Sequence, residues 1–164
     1  TCALPSLRTR AVDLTRMLEQ IAFESEPFLA EKGIYWRLSL EKNVFLVCDP
    51  DKLERVMDNL IRNAVSYGDE NTEVFLSMSC GNNETVLRLI NKGPEIVPEK
   101  LDHIFDQFFR LDNSRTSNKG GAGLGLAIAK EIVEAHGGRI TAESHNRQIM
   151  FTVYLPLRLK SDCT

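Results

Sequence analysis

One stretch, Asp51–Gly68, has the strongest periodicity in the chain, and it predicts an amphipathic helix. Seven apolar residues recur there at alternating steps of three and one, which places them on a single broad face of a helix. Asp49 and Pro50 are typical of a helix N-cap and first helical position, and Gly68 is typical of a C-cap. The apolar face consists of Leu53, Val56, Met57, Leu60, Ile61, Ala64 and Val65.

Four polar side chains, Asn59, Asn63, Ser66 and Tyr67, lie along one flank of that face at about 100° per residue. Asparagine weakens a helix interior, and its side-chain carbonyl needs a donor or a cation. The pair Asn59 and Asn63 therefore has two interpretations: solvated polar residues, or a row of ligands that faces a cleft. The helix by itself leaves both open.

The 164 residues are enough for one domain with a substantial core. The net charge is −3 and basic residues are scattered among acidic ones, which argues against a surface for nucleic acid or anionic membranes. No apolar run approaches the ~18 residues of a membrane span, and no signal peptide is recognisable. Because the chain begins at Thr1 without Met, we expect it to be a piece of a longer protein.

The four cysteines, Cys2, Cys48, Cys80 and Cys163, are widely spaced and form no C-x-x-C or C-x-x-H pair. Zinc sites and thioredoxin-like sites are therefore not supported. Cys48 and Cys80 end apolar, strand-like runs, which favours buried free thiols in a reducing compartment.

Helical and strand-like segments alternate along the rest of the chain. Hairpins separated by helices indicate an α+β fold: a two-layer sandwich in which a mixed, mostly antiparallel sheet of about five or six strands is covered on one face by about three helices. A linker or frayed end is predicted over 1–12, followed by a helix from Asp13 toward Gly33 with a kink or break at Pro27. Three hairpins are predicted, which pair strand 34–40 with 44–47, strand 72–78 with 84–90, and strand 139–144 with 149–155. A further helix is predicted over 124–136. The domain is predicted to span 13–157, followed by a tail over 158–164.

A glycine-rich loop, Gly120–Gly125, opens the last helix. Glycine lets backbone N–H groups approach an anion closely, and a helix N-terminus adds partial positive charge. Arg110, Arg115 and Lys119, just upstream, could supply further positive charge to phosphates. The loop therefore predicts a phosphate cradle with a flexible lid, and a simple glycine hinge is the alternative. Its spacing differs from that of a Rossmann turn, and no Walker A string is present.

Four motifs occur in the order and spacing found in the catalytic and ATP-binding domain of sensor histidine kinases, which this chain resembles over nearly its whole length. Asn59–Tyr67 is similar to the N box, Asn91–Ile96 to the first glycine box, Ile104–Arg110 to the F box and Gly121–Leu126 to the second glycine box. The resemblance implies the fold shared with DNA gyrase B, the chaperone Hsp90 and MutL. The stretches DNSR and GGAGLGLAIAKEI are particularly similar to the sensor kinases of vancomycin resistance.

The resemblance implies a site for ATP and Mg²⁺ on these motifs. Asn63 would coordinate a Mg²⁺ ion that bridges the ATP phosphates, with Asn59 assisting nearby, a set of oxygen donors that suits a hard cation. Asn91 stands in place of the family's usual aspartate, which accepts a hydrogen bond from the adenine amino group. Arg110 would face the γ-phosphate, so that Asn63 and Arg110 are the implied catalytic residues. The other implied nucleotide contacts are Tyr67, Gly93, Ile96, Arg115, Lys119, Gly121, Gly123, Leu124 and Gly125, while Phe105 and Phe108 would anchor the lid.

Three positions depart from the family's pattern. The NH₂ group of Asn91 can donate just as its oxygen can accept, so the preference for an amino-bearing base is less strict. Glu95 replaces the usual second glycine of the first glycine box, and Ser66 stands where a basic residue is common. We therefore expect weaker nucleotide binding than is usual in the family, but not its loss.

The residue at position 59 distinguishes two groups of proteins with this fold, the gyrase, Hsp90 and MutL branch and the histidine kinases. The gyrase, Hsp90 and MutL branch has there a glutamate that activates water, whereas Asn59 is a poor base. Asp58 and Glu54 point to another flank of the helix. This favours transfer of the γ-phosphoryl group to a protein nucleophile, which in the histidine kinases is a histidine on a separate helical hairpin.

The three histidines of the chain are poor candidates for that acceptor. None of His103, His136 and His145 is followed by the acidic residue usual in the family, and His136 lies where it would cap a helix C-terminus with complementary charge. The resemblance thus implies an acceptor on a helical dimerisation domain absent from this chain, a response regulator as the next acceptor, and no nucleic-acid partner. The intact protein would be a membrane-anchored homodimer with this domain in the cytoplasm, and the piece itself a monomer. A non-catalytic nucleotide-binding or interaction module is the alternative, and a free-standing ATPase is third.

Overall fold

A five-stranded mixed sheet with helices on one face organises the chain. The computed structural model describes residues 6–111 and 125–157. The strands are β1 (Arg10–Asp13), β2 (Tyr35–Leu40), β3 (Phe45–Cys48), β4 (Glu73–Gly81), β5 (Glu84–Lys92), β6 (Arg139–His145) and β7 (Gln148–Pro156). The helices are α1 (Leu14–Ala30), α2 (Pro50–Tyr67), the single-turn α3 (Pro98–Leu101) and α4 (Gly125–Ala135).

The strands of the large sheet are arranged in the order β2-β4-β5-β7-β6. β2 and β4 are parallel, and all other neighbours in the sheet are antiparallel. Along β4 and β5 every second side chain is buried, because one face of the sheet packs against helices and the other does not. α1 contacts β2, α2 contacts β5, and α4 contacts β6 and β7. The structure confirms the predicted α+β sandwich, its mixed and mostly antiparallel sheet, and three covering helices.

The predicted central helix is confirmed as α2. All seven of its apolar residues are buried in the core. The carboxylate of Asp49 caps the helix by accepting the N–H of Lys52 at 3.3 Å, and Pro50 is the first helical residue. At the other end the ammonium group of Lys32 donates to the carbonyl of Val65 at 2.6 Å, where it offsets the partial negative charge of the helix C-terminus.

The predicted hairpin of strands 34–40 and 44–47 is wrong. β2 pairs in parallel with β4, and β3 pairs with β1, a strand that is absent from the predicted segments. The hydroxyl of Thr15 holds the connection between β2 and β3 in place: it donates to the carbonyl of Glu41 at 2.7 Å and accepts the N–H of Val44 at 3.2 Å. Thr15 is 26 and 29 positions away from these partners. The sequence pattern around β2 and β3 therefore does not indicate these hydrogen bonds, which direct β3 away from the five-stranded sheet.

The remaining segments agree with the prediction apart from shifts at their ends. The hairpins β4–β5 and β6–β7 are both present, and α4 is the predicted last helix. Pro27 does not break α1, which continues to Ala30. Within the described ranges, no helix is long and apolar enough to cross a membrane.

The two cysteines inside the described ranges are free thiols, as predicted. Cys48 is buried and Cys80 is half-buried. Cys2 and Cys163 lie outside the residues that the structure describes.

Candidate functional site

α2 and α4 run antiparallel, as one contact at each end of α4 shows. At the end of α4 the imidazole of His136 accepts the backbone N–H of Asp49, the N-cap of α2, at 3.0 Å. At the start of α4 the backbone of Gly125 faces Asn59, and a Cβ placed on this glycine would lie 3.4 Å from Oδ1 of Asn59. The last two turns of α2 therefore extend beyond the start of α4 toward the end of β5. We call the place bordered by these three elements the helix–sheet corner.

Asn91, near the end of β5, is the most unusual residue of the helix–sheet corner. Only 1% of its surface is exposed, yet neither polar atom of its side-chain amide has a hydrogen-bond partner among the described residues. Most buried polar groups in proteins are bonded, and an unpaired one costs about 1–3 kcal/mol by protein mutational data. The amide of Asn91 is therefore suited to a ligand that presents one donor and one acceptor side by side.

Gly93, two residues after Asn91, is buried against the last residue of α2. A Cβ on this glycine would lie 2.6 Å from the carbonyl oxygen of Tyr67 and 3.6 Å from Nδ2 of Asn91. Any larger side chain would have to push the end of β5 away from α2. Glycine is thus required at this position by the close approach of the two elements.

Asn59 and Asn63 lie one helical turn apart on the flank of α2 that meets α4. Both residues are half-buried, and the Nδ2 atom of Asn59 is buried without a partner in the described part of the chain. An amide NH₂ group is a donor, so this unpaired atom suits a hydrogen-bond acceptor on a ligand and not a cation. Within residues 6–111 and 125–157 no group of three or more His, Cys, Asp or Glu residues could hold a metal ion. A cation here would rely on amide, phosphate and water oxygens, a set that Mg²⁺ accepts.

The segment after β5 is held by the β6–β7 hairpin. The N–H of Gly93 donates to the carbonyl of Arg147 at 3.0 Å, and the N–H of Ile96 donates to Oγ of Ser144 at 2.8 Å. Ile96 is buried, whereas Glu95 is exposed. Glu95 is not among the residues with a positive φ, so its replacement of a glycine puts no strain on this turn.

The F-box residues divide between the core and the surface. Ile104 is buried, and the ring of Phe105 packs edge-on against Phe151 with the centroids 6.1 Å apart. Phe108, by contrast, is 69% exposed and has a φ of 64°, which is uncommon for a bulky residue. Arg110 is half-buried and engaged in an interaction within the protein.

Five of the predicted site residues lie outside the described residues: Arg115, Lys119, Gly121, Gly123 and Leu124. Gly125, the next position, is the first residue of α4. The N-terminus of α4 therefore lies beside Asn59, in the helix–sheet corner, where its partial positive charge favours an anion.

The histidines have surroundings that suit structural roles. His136 is 2% exposed, and while its Nε2 accepts from Asp49, its Nδ1 donates to the carbonyl of Ile132 at 2.8 Å. A ring that accepts at Nε2 is neutral, so the expected charged helix cap is corrected to an uncharged one. His103 and His145 are exposed, and His103 pairs with Asp106 at 2.7 Å.

The carboxylate of Asp49 joins two segments at the end of α2 opposite the helix–sheet corner. Its carboxylate accepts the backbone N–H of Arg8 at 2.9 Å as well as that of Lys52. Burial raises the pKa of this carboxyl group, but the two N–H donors and the charge of Lys52 outweigh burial and hold the pKa below 3.8. The ionised cap therefore fastens the segment before β1 to the start of α2.

Three residues that shape the helix–sheet corner were not predicted. Lys32, Ser144 and Arg147 reach partners 33, 48 and 78 positions away in the sequence. Only the turn at Asn146, at the tip of the β6–β7 hairpin, gave a local signal near two of them.

Comparison with known proteins connects this site to a family. Residues 48–159 match the family described as histidine kinase-, DNA gyrase B-, and HSP90-like ATPase. The sensor protein VanSC of Enterococcus gallinarum is 45% identical over 150 residues, which are 92% of this chain and 41% of VanSC. The sensor protein kinase WalK of Staphylococcus aureus is 47% identical over 106 residues, which are 63% of this chain and 26% of WalK. The chain thus spans less than half the length of these relatives.

The fold is similar to solved catalytic domains. The nucleotide-free catalytic domain of the histidine kinase ThkA superimposes with a TM-score of 0.82 over 92% of this chain and 97% of that domain, at 22% identity. The order and pairing of the elements are therefore those of a known architecture. The chain belongs to the family of histidine kinase-, DNA gyrase B- and HSP90-like ATPases, and it is similar to part of the sensor kinases VanSC and WalK.

Proposed function

We propose that this domain binds Mg²⁺-ATP at the helix–sheet corner and passes the γ-phosphoryl group to a histidine on a separate dimerisation domain, from which a response regulator takes it. The observation that carries this proposal is the amide of Asn91, which is buried with both polar atoms unpaired. A buried amide without hydrogen-bond partners destabilises a protein core, whereas in a binding site it is a recognition element.

Adenine has the chemistry that the Asn91 amide requires. Its edge presents an amino donor next to a ring nitrogen acceptor, so the amide oxygen can accept from the first while the NH₂ group donates to the second. Each neutral hydrogen bond contributes about 0.5–1.5 kcal/mol. Guanine presents an acceptor next to a donor, which the same amide matches after a rotation of 180°. The base preference therefore depends on the walls around Asn91.

The phosphates would lie between α2 and the start of α4. Asn63, with Asn59 assisting, would hold Mg²⁺ through side-chain oxygens, and the bound ion would shield the negative charge of the phosphates. Arg110 would face the γ-phosphate, Tyr67 would pack along the nucleotide, and Gly93 and Ile96 would line the base pocket. The remaining proposed contacts are Arg115, Lys119, Gly121, Gly123, Leu124 and Gly125.

A protein acceptor is favoured over water by the residues of α2. Asp58, the carboxylate next to Asn59, is exposed and pairs with Arg62 at 2.9 Å. Glu54 is exposed as well. An acceptor imidazole nitrogen would attack the γ-phosphorus while the bond to the β-phosphate oxygen breaks and ADP leaves. We further propose that the intact protein is a membrane-anchored homodimer with this domain on the cytoplasmic side.

Titration calorimetry of the chain with a non-hydrolysable ATP analogue and Mg²⁺ tests the binding step. We expect Mg²⁺-dependent binding that Asn63→Ala abolishes, while Arg62→Ala, an exposed neighbour on the same helix, leaves it unchanged. The affinity for a GTP analogue in the same assay, compared with that for the ATP analogue, measures how strictly Asn91 selects adenine. Absence of binding at millimolar ATP analogue would overturn the proposal. Binding without phosphotransfer to an added acceptor domain would leave the non-catalytic module as the better description.

A further inference from the structure

The tip of the β6–β7 hairpin lies at the helix–sheet corner. Its turn residues, Asn146 and Arg147, have left-handed backbones with φ of 50° and 58°, as a tight two-residue hairpin requires. In the sheet register Ser144 is opposite Ile149, and Ile149 is opposite Asn91. Directly paired residues share a face, so Ser144 and Asn91 lie on the same helix-facing side, about 10 Å apart across three neighbouring strands.

Two hydrogen bonds connect the hairpin to the segment that follows Asn91. The carbonyl of Arg147 accepts the N–H of Gly93 at 3.0 Å and extends the ladder between β5 and β7 by one step. Three residues later, Oγ of Ser144 accepts the N–H of Ile96 at 2.8 Å. The segment Gly93–Ile96 is therefore fixed at both of its ends, and the second fixing point is a side chain.

The same hairpin also contacts the loop after α2. The guanidinium of Arg147 donates to Oδ2 of Asp69 at 2.8 Å, and the N–H of Asp69 donates to the carbonyl of Lys92 at 2.8 Å. Both walls beside Asn91, the end of α2 and the segment Gly93–Ile96, are thus tied to the hairpin tip.

We propose that Ser144 is a positioning residue for nucleotide binding, an inference that rests on the proposed function. Its hydroxyl sets the path of Gly93–Ile96 and thereby the place of the buried Ile96 side chain beside the base. The hydroxyl acts through the N–H of Ile96. If this bond is lost, the N–H of Ile96 has to find another acceptor, and the segment moves away from the position that the base requires.

The test compares Ser144→Ala with the wild-type chain by titration with a non-hydrolysable ATP analogue and Mg²⁺. We expect binding about fivefold weaker, the effect of one neutral hydrogen bond. Ser39→Ala, at an exposed serine on the edge strand β2, is the matched control and should stay within about twofold of wild type. Ser144→Thr keeps the hydroxyl and should restore binding. In phosphotransfer to an added acceptor domain, Ser144→Ala should raise KM for ATP and leave kcat unchanged, because the lost interaction is equal in ground and transition states.

The possible outcomes separate the two proposals. Wild-type binding with Ser144→Ala equal to Ser39→Ala would overturn the role of Ser144 and leave the proposed function standing. Failure of Ser144→Thr to restore binding, or a fall in kcat in place of the rise in KM, would also overturn it. No binding by the wild-type chain would instead overturn the proposed function itself. If Ser144→Ala does not fold, Ser144→Cys takes its place, because sulfur is a weak acceptor of similar size.

Discussion

The imidazole of His136 accepts the backbone N–H of Asp49 at 3.0 Å, and through this bond the end of α4 is fastened to the start of α2. The two helices meet again at Asn59 and Gly125, where the helix–sheet corner begins. A site formed between two helices depends on their relative position. The neutral, buried bond at the far end is therefore part of what fixes the geometry of the site.

His136→Leu should destabilise the domain by about 1–3 kcal/mol, because it leaves the N–H of Asp49 buried without an acceptor. Urea unfolding followed by circular dichroism measures the change. His145→Leu is the control, since His145 is exposed at the end of β6, and it should have an effect below about 0.5 kcal/mol. Equal stabilities of the two variants would show that the bond between His136 and Asp49 contributes nothing.

The stability of the domain should depend on the ionisation of Asp49 in acid. The pKa of this carboxyl group is held below 3.8 in the folded chain. The unfolded chain then binds the proton more readily, so the stabilisation is present above the unfolded pKa and is lost as the pH falls through the folded one. Asp49→Asn should therefore give a shallower fall of the unfolding free energy between about pH 5 and about pH 2.

Asp51→Asn provides the comparison for this pH series, because Asp51 is exposed in the first turn of the same helix. Its profile should run parallel to that of the wild type. Parallel profiles for Asp49→Asn and wild type would mean that the carboxylate of Asp49 is not selectively stabilised in the folded chain.

Cys48 should resist alkylation in the folded domain. Burial and the neighbouring charge of Asp49 raise the pKa of its thiol to about 11 from an ordinary 9.0, which lowers the thiolate fraction at neutral pH about a hundredfold. Iodoacetamide should modify the half-buried Cys80 before Cys48, and Cys48 only after urea is added. Peptide mass spectrometry measures the labelling of each of the two thiols. Labelling of both thiols at the same rate without urea would contradict the buried position of Cys48.

Local signals account for what the sequence predicted correctly in the fold. The periodicity of α2, its Asp49-Pro50 start and the asparagine turns of the β4–β5 and β6–β7 hairpins all lie within a few residues of the elements that they define. The pairing of β3 could not be predicted in this way, because the hydroxyl of Thr15 that redirects the chain belongs to a distant helix. The prediction that His136 is charged was wrong for the same reason, because its partner Asp49 is 87 positions away.

The candidate site shows the same division between local and distant information. Motifs placed Asn59, Asn91 and Gly93 in one site, and the structure brings the α2 flank and the end of β5 together at the helix–sheet corner. Ser144 and Lys32 carry no motif, and their importance follows only from hydrogen bonds that the fold creates.

Gly93→Ala should reduce both stability and nucleotide binding, because its Cβ would lie 2.6 Å from the carbonyl oxygen of Tyr67. Overpacking of this kind costs about 1–3 kcal/mol, and the strain would move the end of β5 together with Asn91. Gly81→Ala is a matched control at the end of β4, where a Cβ meets no atom within 4 Å. Because Gly81 has no positive φ, this substitution should be neutral or stabilise by about 0.4–1 kcal/mol through the unfolded state. Urea unfolding and titration with an ATP analogue on both variants measure the two effects, and equal behaviour of the two alanines would show that β5 and α2 do not approach each other so closely in solution.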